Sequence, residues 1–422
     1  MACITQKPKV KNILELPPEI LLHIFSLLDY KHLCRCAQVC SKFKEVAGDD
    51  SLWKLQTWKE FLLHDYQCKD EETWFDVFRS YWVRFGRIHS AEVYRKVRRL
   101  WDRLENYLKE RDPKMFETLR EPAFLGEIQI AEERMKCRFP ADLRCSLQIH
   151  NGQEMGTGLG LLGCIMISTY FRSEGLLDCA SMARSYEDEG DLTGCVPITY
   201  CFVSQKSQYM AVTDAGGFKV GEMFYPTPDQ SNNDADQFIT GNSYLEWFEK
   251  FVVDLETDVF PRIDNRIFRF YHEPGCEART DDCFSVSVST CFMPDLSTIN
   301  PPHYFYVYRV TMSMDKNADK RKSCQLESRH WIITDEDGRE EHVDGPGVVG
   351  EYPVMSPGAE FSWTSCTTFS TTYGNMRGHF TMRNLETGDG VSITCPVYHM
   401  KCLPHKIAKD RRQAMLERKK NL

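Results

Sequence analysis

Two runs in the chain, Gly158-x-Gly160-x-x-Gly163 and Gly345-x-Gly347-x-x-Gly350, have the spacing of a glycine turn that holds a pyrophosphate. That chemistry needs a strand before the turn and a helix after it, so that free amides and the helix dipole face the phosphates. The first run leads into Cys164-Ile-Met-Ile, which reads as a strand. The second leads into Glu351-Tyr352-Pro353, which does not open a long helix. Both runs are therefore expected to be tight turns. The alternative is a nucleotide- or anion-binding protein or enzyme that uses the 345–350 loop. His330, with Asp335 or His342, offers the residue types of an acid–base pair or a metal site. No nucleophile–base–orienter spacing accompanies it, so His330 and Trp331 are expected to be structural. No catalytic residue, metal ligand or cofactor is expected.

The chain has 18 cysteines and no Cys-x-x-Cys pair, which argues against a zinc ribbon or a thioredoxin-type motif. Cys34, Cys36 and Cys40 lie close together, and Cys36 and Cys40 read as sharing a helical face. Apolar packing is preferred to a metal there. Met1-Ala-Cys-Ile-Thr-Gln-Lys lacks the apolar centre of a signal peptide, so reduced thiols in nucleus and cytoplasm are expected. A net charge of −9 argues against general nucleic-acid binding, and no apolar run is long enough to span a membrane.

The elements that would position any site begin with residues 14–53. Pro17 suits a first helical turn, and Glu19 lies at the positive end of the helix dipole. Ile20, Leu21, Ile24, Phe25, Leu27 and Leu28 then cover more than one helical face. Asp29 is expected to cap a second helix carrying Leu33, Cys36, Ala37, Val39 and Cys40. Ser41 is expected to cap a third with Phe43 and Val46. So short a segment cannot bury that much apolar surface by itself. It either packs on the rest of the chain or meets a partner.

The run Leu14-Glu-Leu-Pro-Pro-Glu-Ile-Leu-Leu-His-Ile-Phe-Ser-Leu-Leu, the Leu33…Val39-Cys40…Phe43 spacing and the closing Leu52-Trp53 resemble the F-box family. The resemblance implies binding of the adaptor Skp1, and of cullin-1 and a RING subunit through Skp1, in an SCF ubiquitin ligase. The rest of the chain would select protein substrates. It assigns Leu14, Leu16, Pro17, Ile20, Leu21, Ile24, Phe25, Leu28, Leu33, Val39, Cys40, Phe43, Leu52 and Trp53 to the Skp1 site. A stripe at Trp74, Phe78, Tyr81, Trp82 and Phe85 follows at helical spacing. It reads as core that fixes the F-box to what comes next.

From Ala91 a helix carries Tyr94, Val97, Leu100, Trp101, Leu104, Tyr107 and Leu108. Two more helices flank Pro140 and end at Asn151-Gly152. Strand-like runs follow at residues 163–169, 196–203, 209–213 and 219–225, then an amphipathic helix through Tyr244, Trp247, Phe248 and Phe251. Ile128…Ala131-Glu132, Phe139-Pro140-Ala141-Asp142-Leu143 and His150-Asn151-Gly152-Gln153 resemble the SMI1/KNR4 (SUKH) family, which implies an α+β protein-binding module. The acidic stretches at 187–191 and 229–236 are expected to be solvated loops, with a basic partner as the alternative.

Beyond residue 282 the period becomes two: Phe284, Val286 and Val288, then Tyr304, Tyr306, Tyr308, Val310 and Met312. Asp337-Gly338 marks a hairpin, and many short strands indicate an antiparallel sandwich. Ser328-Arg-His-Trp-Ile-Ile-Thr-Asp335, Gly345-Pro-Gly-Val-Val-Gly-Glu-Tyr-Pro-Val354 and Gly374-Asn-Met-Arg-Gly378 resemble the ApaG family, with its immunoglobulin/fibronectin-like sandwich.

The expected organisation is multidomain: a small all-α F-box (10–56), an aromatic helical connector (57–94), an α+β SUKH-like domain (95–255), a linker (256–277), an all-β ApaG sandwich (278–408) and a basic tail (409–422). The tail is expected either to form a basic helix that acts as a nuclear-import or acidic-partner patch or to hang free in solvent.

Overall fold

The computed structural model describes residues 12–86, 91–154, 160–168, 170–187, 189–228, 235–263 and 266–420. The chain divides into two compact units, Met1–Arg99 and Leu100–Leu422. The division falls inside the helix Ala91–Arg111.

The first unit is helical. Helix α1 (Pro18–Ser26) starts with Pro18 at its first position, where the missing N–H costs no bond, and Pro17 precedes it as the cap. Asp29 caps α2 (Tyr30–Cys36): its carboxylate accepts the His32 amide at 2.8 Å, which lowers the acid's pKa. Helix α3 (Ser41–Ala47) has Cys40 as its cap, so Ser41 is its first residue and not its cap. Cys36 closes one helix and Cys40 precedes the next, so the two do not share a helical face as the spacing suggested. Helix α4 is Asp50–Phe61 and α5 is Trp74–Tyr81. Leu21, Phe25, Leu33, Phe43, Val46, Ala47 and Leu52 form one core.

The aromatic stripe completes this unit. Trp53 meets Phe75 and Phe78 at ring distances of 4.7 and 5.0 Å, and Tyr30 meets Phe78 and Trp82 at 5.4 and 4.8 Å. Each such pair adds roughly 0.5–1.5 kcal/mol beyond burial. Thr73 and Asp76 form a reciprocal capping box that starts α5 where the stripe needs it.

The second unit joins an α+β part to a β-sandwich. A five-stranded sheet runs in the order His405–Lys406, Ala235–Gly241, Met223–Pro228, Tyr209–Ala211, Cys195–Pro197. Helix Tyr244–Glu256 lays Trp247, Phe248, Phe251 and Val252 inward. Trp101 packs tilted against the Phe248 ring at 4.8 Å and donates to Ser146 Oγ at 2.8 Å. The expected strand at 219–225 lies later, at Met223–Pro228. Asp236, read as part of an acidic loop, is buried in a strand, while residues 229–234 and Asp188 lie outside the described residues.

The sandwich pairs a four-stranded sheet (Glu277–Thr280, Phe284–Phe292, Tyr304–Met314, Glu360–Phe369) with a five-stranded one. The second sheet runs Glu340–Pro346, Cys324–Asp335, Tyr373–Asn384, Gly390–Lys401, with Val354–Met355 also pairing Cys324–Asp335. All these pairings are antiparallel. The period-two residues Val286, Val288, Tyr306, Tyr308 and Val310 face the shared core with Trp331, Phe380 and Tyr398. Gly338, at φ +81°, turns the expected hairpin.

The segment 256–277 is not a loose linker. It contains two short paired strands, and Phe260, Ile267, Phe268 and Phe270 are buried in it. Phe268 and Phe270 share a core with Ile165, Cys291 and Val307, so the α+β part and the sandwich pack through this segment.

The residues that lead into the tail, and the tail's Arg411, are fastened as well. His405–Lys406 extends the α+β sheet, and the Ala408 amide donates to Asp236 at 2.8 Å. In the helix Ala408–Lys420, buried Arg411 lies 4.0 Å over the Phe218 ring and donates to the Ala235 carbonyl at 2.8 Å. Arg411→Ala is expected to remove about 2–3 kcal/mol of unfolding free energy, from the lost charged donor and cation–π contact. Chemical denaturation reads it. An unshifted midpoint would mean that the tail contributes nothing to this unit.

Candidate partner-binding surface

Helix α1 carries two apolar faces. Each residue advances about 100° around the axis, so Ile20, Ile24 and Leu27 fall together, roughly 100° from Leu21, Phe25 and Leu28. The second set turns inward: Leu21 and Phe25 are buried with Leu33, Phe43 and Leu52. From the first set, Ile20 is 48% and Leu27 76% exposed, while Ile24 between them is half-buried against the core. Exposed Ile13 and Leu14, from the turn Ile13–Glu15, and Val39, from the α2–α3 loop, add to the uncovered apolar residues of this unit. Lys42 Nζ fastens the turn by donating to the carbonyls of Leu14 and Leu16 at 2.8 and 2.9 Å. Trp53 Nε1 donates to the Ala47 carbonyl, and Gln56 to that of Leu28, both at 2.9 Å. The surface is thus carried on a fixed scaffold.

The fourteen residues assigned from the sequence separate by burial. Leu14, Pro17, Ile20 and Val39 are exposed; Leu16, Ile24, Leu28 and Cys40 are half-buried. Leu21, Phe25, Leu33, Phe43, Leu52 and Trp53 are buried and cannot touch a partner directly. That is a correction to their assignment as contact residues: they hold the surface in shape. Leu27, the residue that caps the end of α1, is not among the fourteen, although it is more exposed than Ile20 and its i, i+7 relation to Ile20 places it on the same face.

The residues that suggested other chemistry take structural places. His330 Nδ1 lies 2.7 Å from Asp344 Oδ1 and does not pair with Asp335, which accepts the Arg339 amide at 2.9 Å. Trp331 is buried against Phe380 and Tyr398. Gly347 and Gly350 have φ of +55° and +83°, and a Cβ on Gly347 would sit 2.5 Å from the Glu351 carbonyl. The amides of Gly347, Val348 and Glu351 are bonded within the turn and to Glu327. Arg329 is held by the carbonyls of Pro346 and Gly347 at 3.1 and 2.8 Å. A strand, Val354–Met355, follows. These amides are thus spent, and no helix dipole follows to meet a phosphate. Gly163, at φ +86°, leads into the strand Cys164–Ile167, and Gly158 of the first run lies outside the described residues.

Burial pushes the thiol of Cys145 up to about 12 and those of Cys164, Cys179, Cys291 and Cys324 up to about 11. These groups stay protonated at neutral pH and pack as small apolar residues. Cys36 and Cys40 pack against the helical core, while Cys34 is exposed. Among the described residues no group of three or more His, Cys, Asp or Glu could hold a metal ion, and no helix is long and apolar enough to cross a membrane.

Comparison with known proteins gives three consecutive family matches. Residues 13–56 match an F-box-like model, 122–250 the SMI1/KNR4 family (SUKH-1) and 294–384 the ApaG domain. The chain is 38% identical over 413 residues to F-box only protein 3 of Homo sapiens, covering 97% of this chain and 87% of that one. It is 25% identical over 404 residues to F-box protein SKIP16 of Arabidopsis thaliana, covering 86% of this chain and 92% of that protein. Protein ApaG of Acidithiobacillus ferrooxidans (strain ATCC 53993 / BNL-5-31) is 37% identical over 115 residues, 27% of this chain and 87% of that protein.

Proposed function

The chain belongs to the F-box only protein 3 family, and from that premise we propose that it is the substrate-recognition subunit of an SCF ubiquitin ligase. The first unit binds Skp1 through the apolar surface of α1 and the flanking turns. The α+β and sandwich parts recruit protein substrates for ubiquitination and proteasomal degradation. Ubiquitin transfer belongs to the cullin-1, RING and conjugating subunits that Skp1 brings.

The observation that supports this reading best is the exposure of Ile20 and Leu27 beside a neighbouring helical face that closes the core. Leaving two large aliphatic side chains in water forgoes roughly 1.5–3 kcal/mol each, which a partner recovers by covering them. Tagged full-length protein is expected to co-purify with Skp1 and cullin-1. Skp1 retained by a chain lacking residues 1–56 would sink the assignment. Skp1 without cullin-1 would place the protein outside a ligase.

A further inference from the structure

A cavity of about 390 Å³ lies inside the second unit, where the α+β part meets the sandwich. That volume is in the range of small-ligand sites. Its aromatic walls are Tyr225, Trp247 and Phe251 from the α+β part, Tyr271 from the segment 256–277, and Phe292 and Tyr306 from the sandwich. Four cationic side chains also reach it, and three are already answered. Arg172 pairs with Glu174 and Asp295 at 2.8 and 3.0 Å, Lys250 with Asp254 at 2.8 Å, and Lys401 with Glu273 at 2.9 Å.

Arg269 is different. Its guanidinium donates to the Leu162 carbonyl at 3.1 Å and to the Tyr271 hydroxyl at 2.9 Å, both neutral. It lies 4.9 Å over the Phe260 ring, and among the described residues it forms no ion pair. Its Nε–H is buried without an acceptor among the described residues, so its charge has no carboxylate to answer it, while the guanidinium as a whole lines the cavity. A buried charged donor left unmet is costly, and an arginine holds its charge at any accessible pH. A carboxylate accepts two guanidinium donors at once, and an aromatic-walled chamber suits an apolar body behind it.

We propose that this cavity binds a small organic carboxylate, with Arg269 meeting the anion and the aromatic walls enclosing an apolar or aromatic body. The site is independent of the Skp1-binding reading. The same chemistry is presented by a free organic acid or by the C-terminal carboxylate of a peptide, and the test separates the two.

The full-length chain is titrated calorimetrically with phenylacetate, with its neutral isostere phenylacetamide, and with a Gly-Gly-Phe peptide as free acid and as amide. Phenylacetate is expected to saturate one site per chain and to bind at least about tenfold more tightly than the amide, a difference of about 1.4 kcal/mol. Arg269→Met should erase that preference. Arg269→Lys, which keeps the charge but loses the two-pronged donor, should weaken phenylacetate several-fold. Tighter binding of the peptide acid than of phenylacetate assigns the site to chain termini, and the reverse assigns it to free acids. Failure of both acids to bind at millimolar concentration overturns the proposal. So does equal binding of acid and amide, or a preference that survives in Arg269→Met. Should that variant not fold, unchanged phenylacetate affinity in Arg269→Lys overturns it.

Discussion

Ile20→Asp combined with Leu27→Lys is expected to abolish co-purification with Skp1 while leaving the helical unit folded. Both positions are exposed, and surface changes of this kind usually alter stability by no more than about 0.5 kcal/mol. The choice of charges helps the helix. Ile20 lies in the first turn of α1, where an acid meets the positive end of the dipole, and Leu27 follows its last turn, where a lysine meets the negative end. At an interface the same changes desolvate two charges against an apolar partner. Two central anchors at about 2 kcal/mol or more each weaken binding roughly a thousandfold. Phe25→Ala is the contrast. Its ring is buried and packs edge-on against Phe43 at 5.2 Å, so truncation costs about 3–5 kcal/mol and removes binding by unfolding the unit. Circular dichroism separates the two: the double variant keeps its helical signal and midpoint, whereas Phe25→Ala loses both. Skp1 retained at normal yield by the double variant would move the interface off α1.

This contrast also shows what the sequence reveals and what it hides. Spacing and order identify the helical hook, because Pro17, Asp29 and the apolar run act through local rules of capping and periodicity. They do not say which of two apolar faces is the core, since Leu21 and Leu27 look alike until Phe43 and Leu52 fold back from elsewhere in the chain. The His330 partner was closer to legible. Reading Asp337-Gly338 as a two-residue turn sets position 330 opposite 345; the loop instead takes three residues, 336–338, and shifts the pairing by one to 344. The cavity was not legible. Arg172, Trp247, Arg269 and Phe292 come from four segments with no shared motif, and the segment holding Arg269 reads as a linker because its buried phenylalanines have no period.

Arg172→Met is expected to be the most destabilising single change in the second unit. Arg172 extends from the strand Tyr170–Ser173 to Glu174 and to Asp295 in the turn Pro294–Leu296 of the sandwich. It also lies 4.5 Å over the Tyr225 ring. Its side chain is 9% exposed, and those of Glu174 and Asp295 are 4% and 3%. Removing the cation leaves two buried carboxylates without their counter-charge. Glu174 retains the Tyr225 hydroxyl at 2.6 Å and Gln208 at 3.3 Å, while Asp295 retains the Tyr170 hydroxyl. Breaking a buried pair from one side typically costs about 3–5 kcal/mol. The magnitude comes from the stranded charges and not from lost volume, since Met fills most of the space. A second variant separates charge from packing. Arg172→Met/Glu174→Gln should recover part of the loss, because it removes one stranded charge and keeps the shape. Denaturant midpoints of both variants read this. A loss below about 1 kcal/mol, or no recovery in the double variant, would mean that this pair does not hold the α+β part to the sandwich.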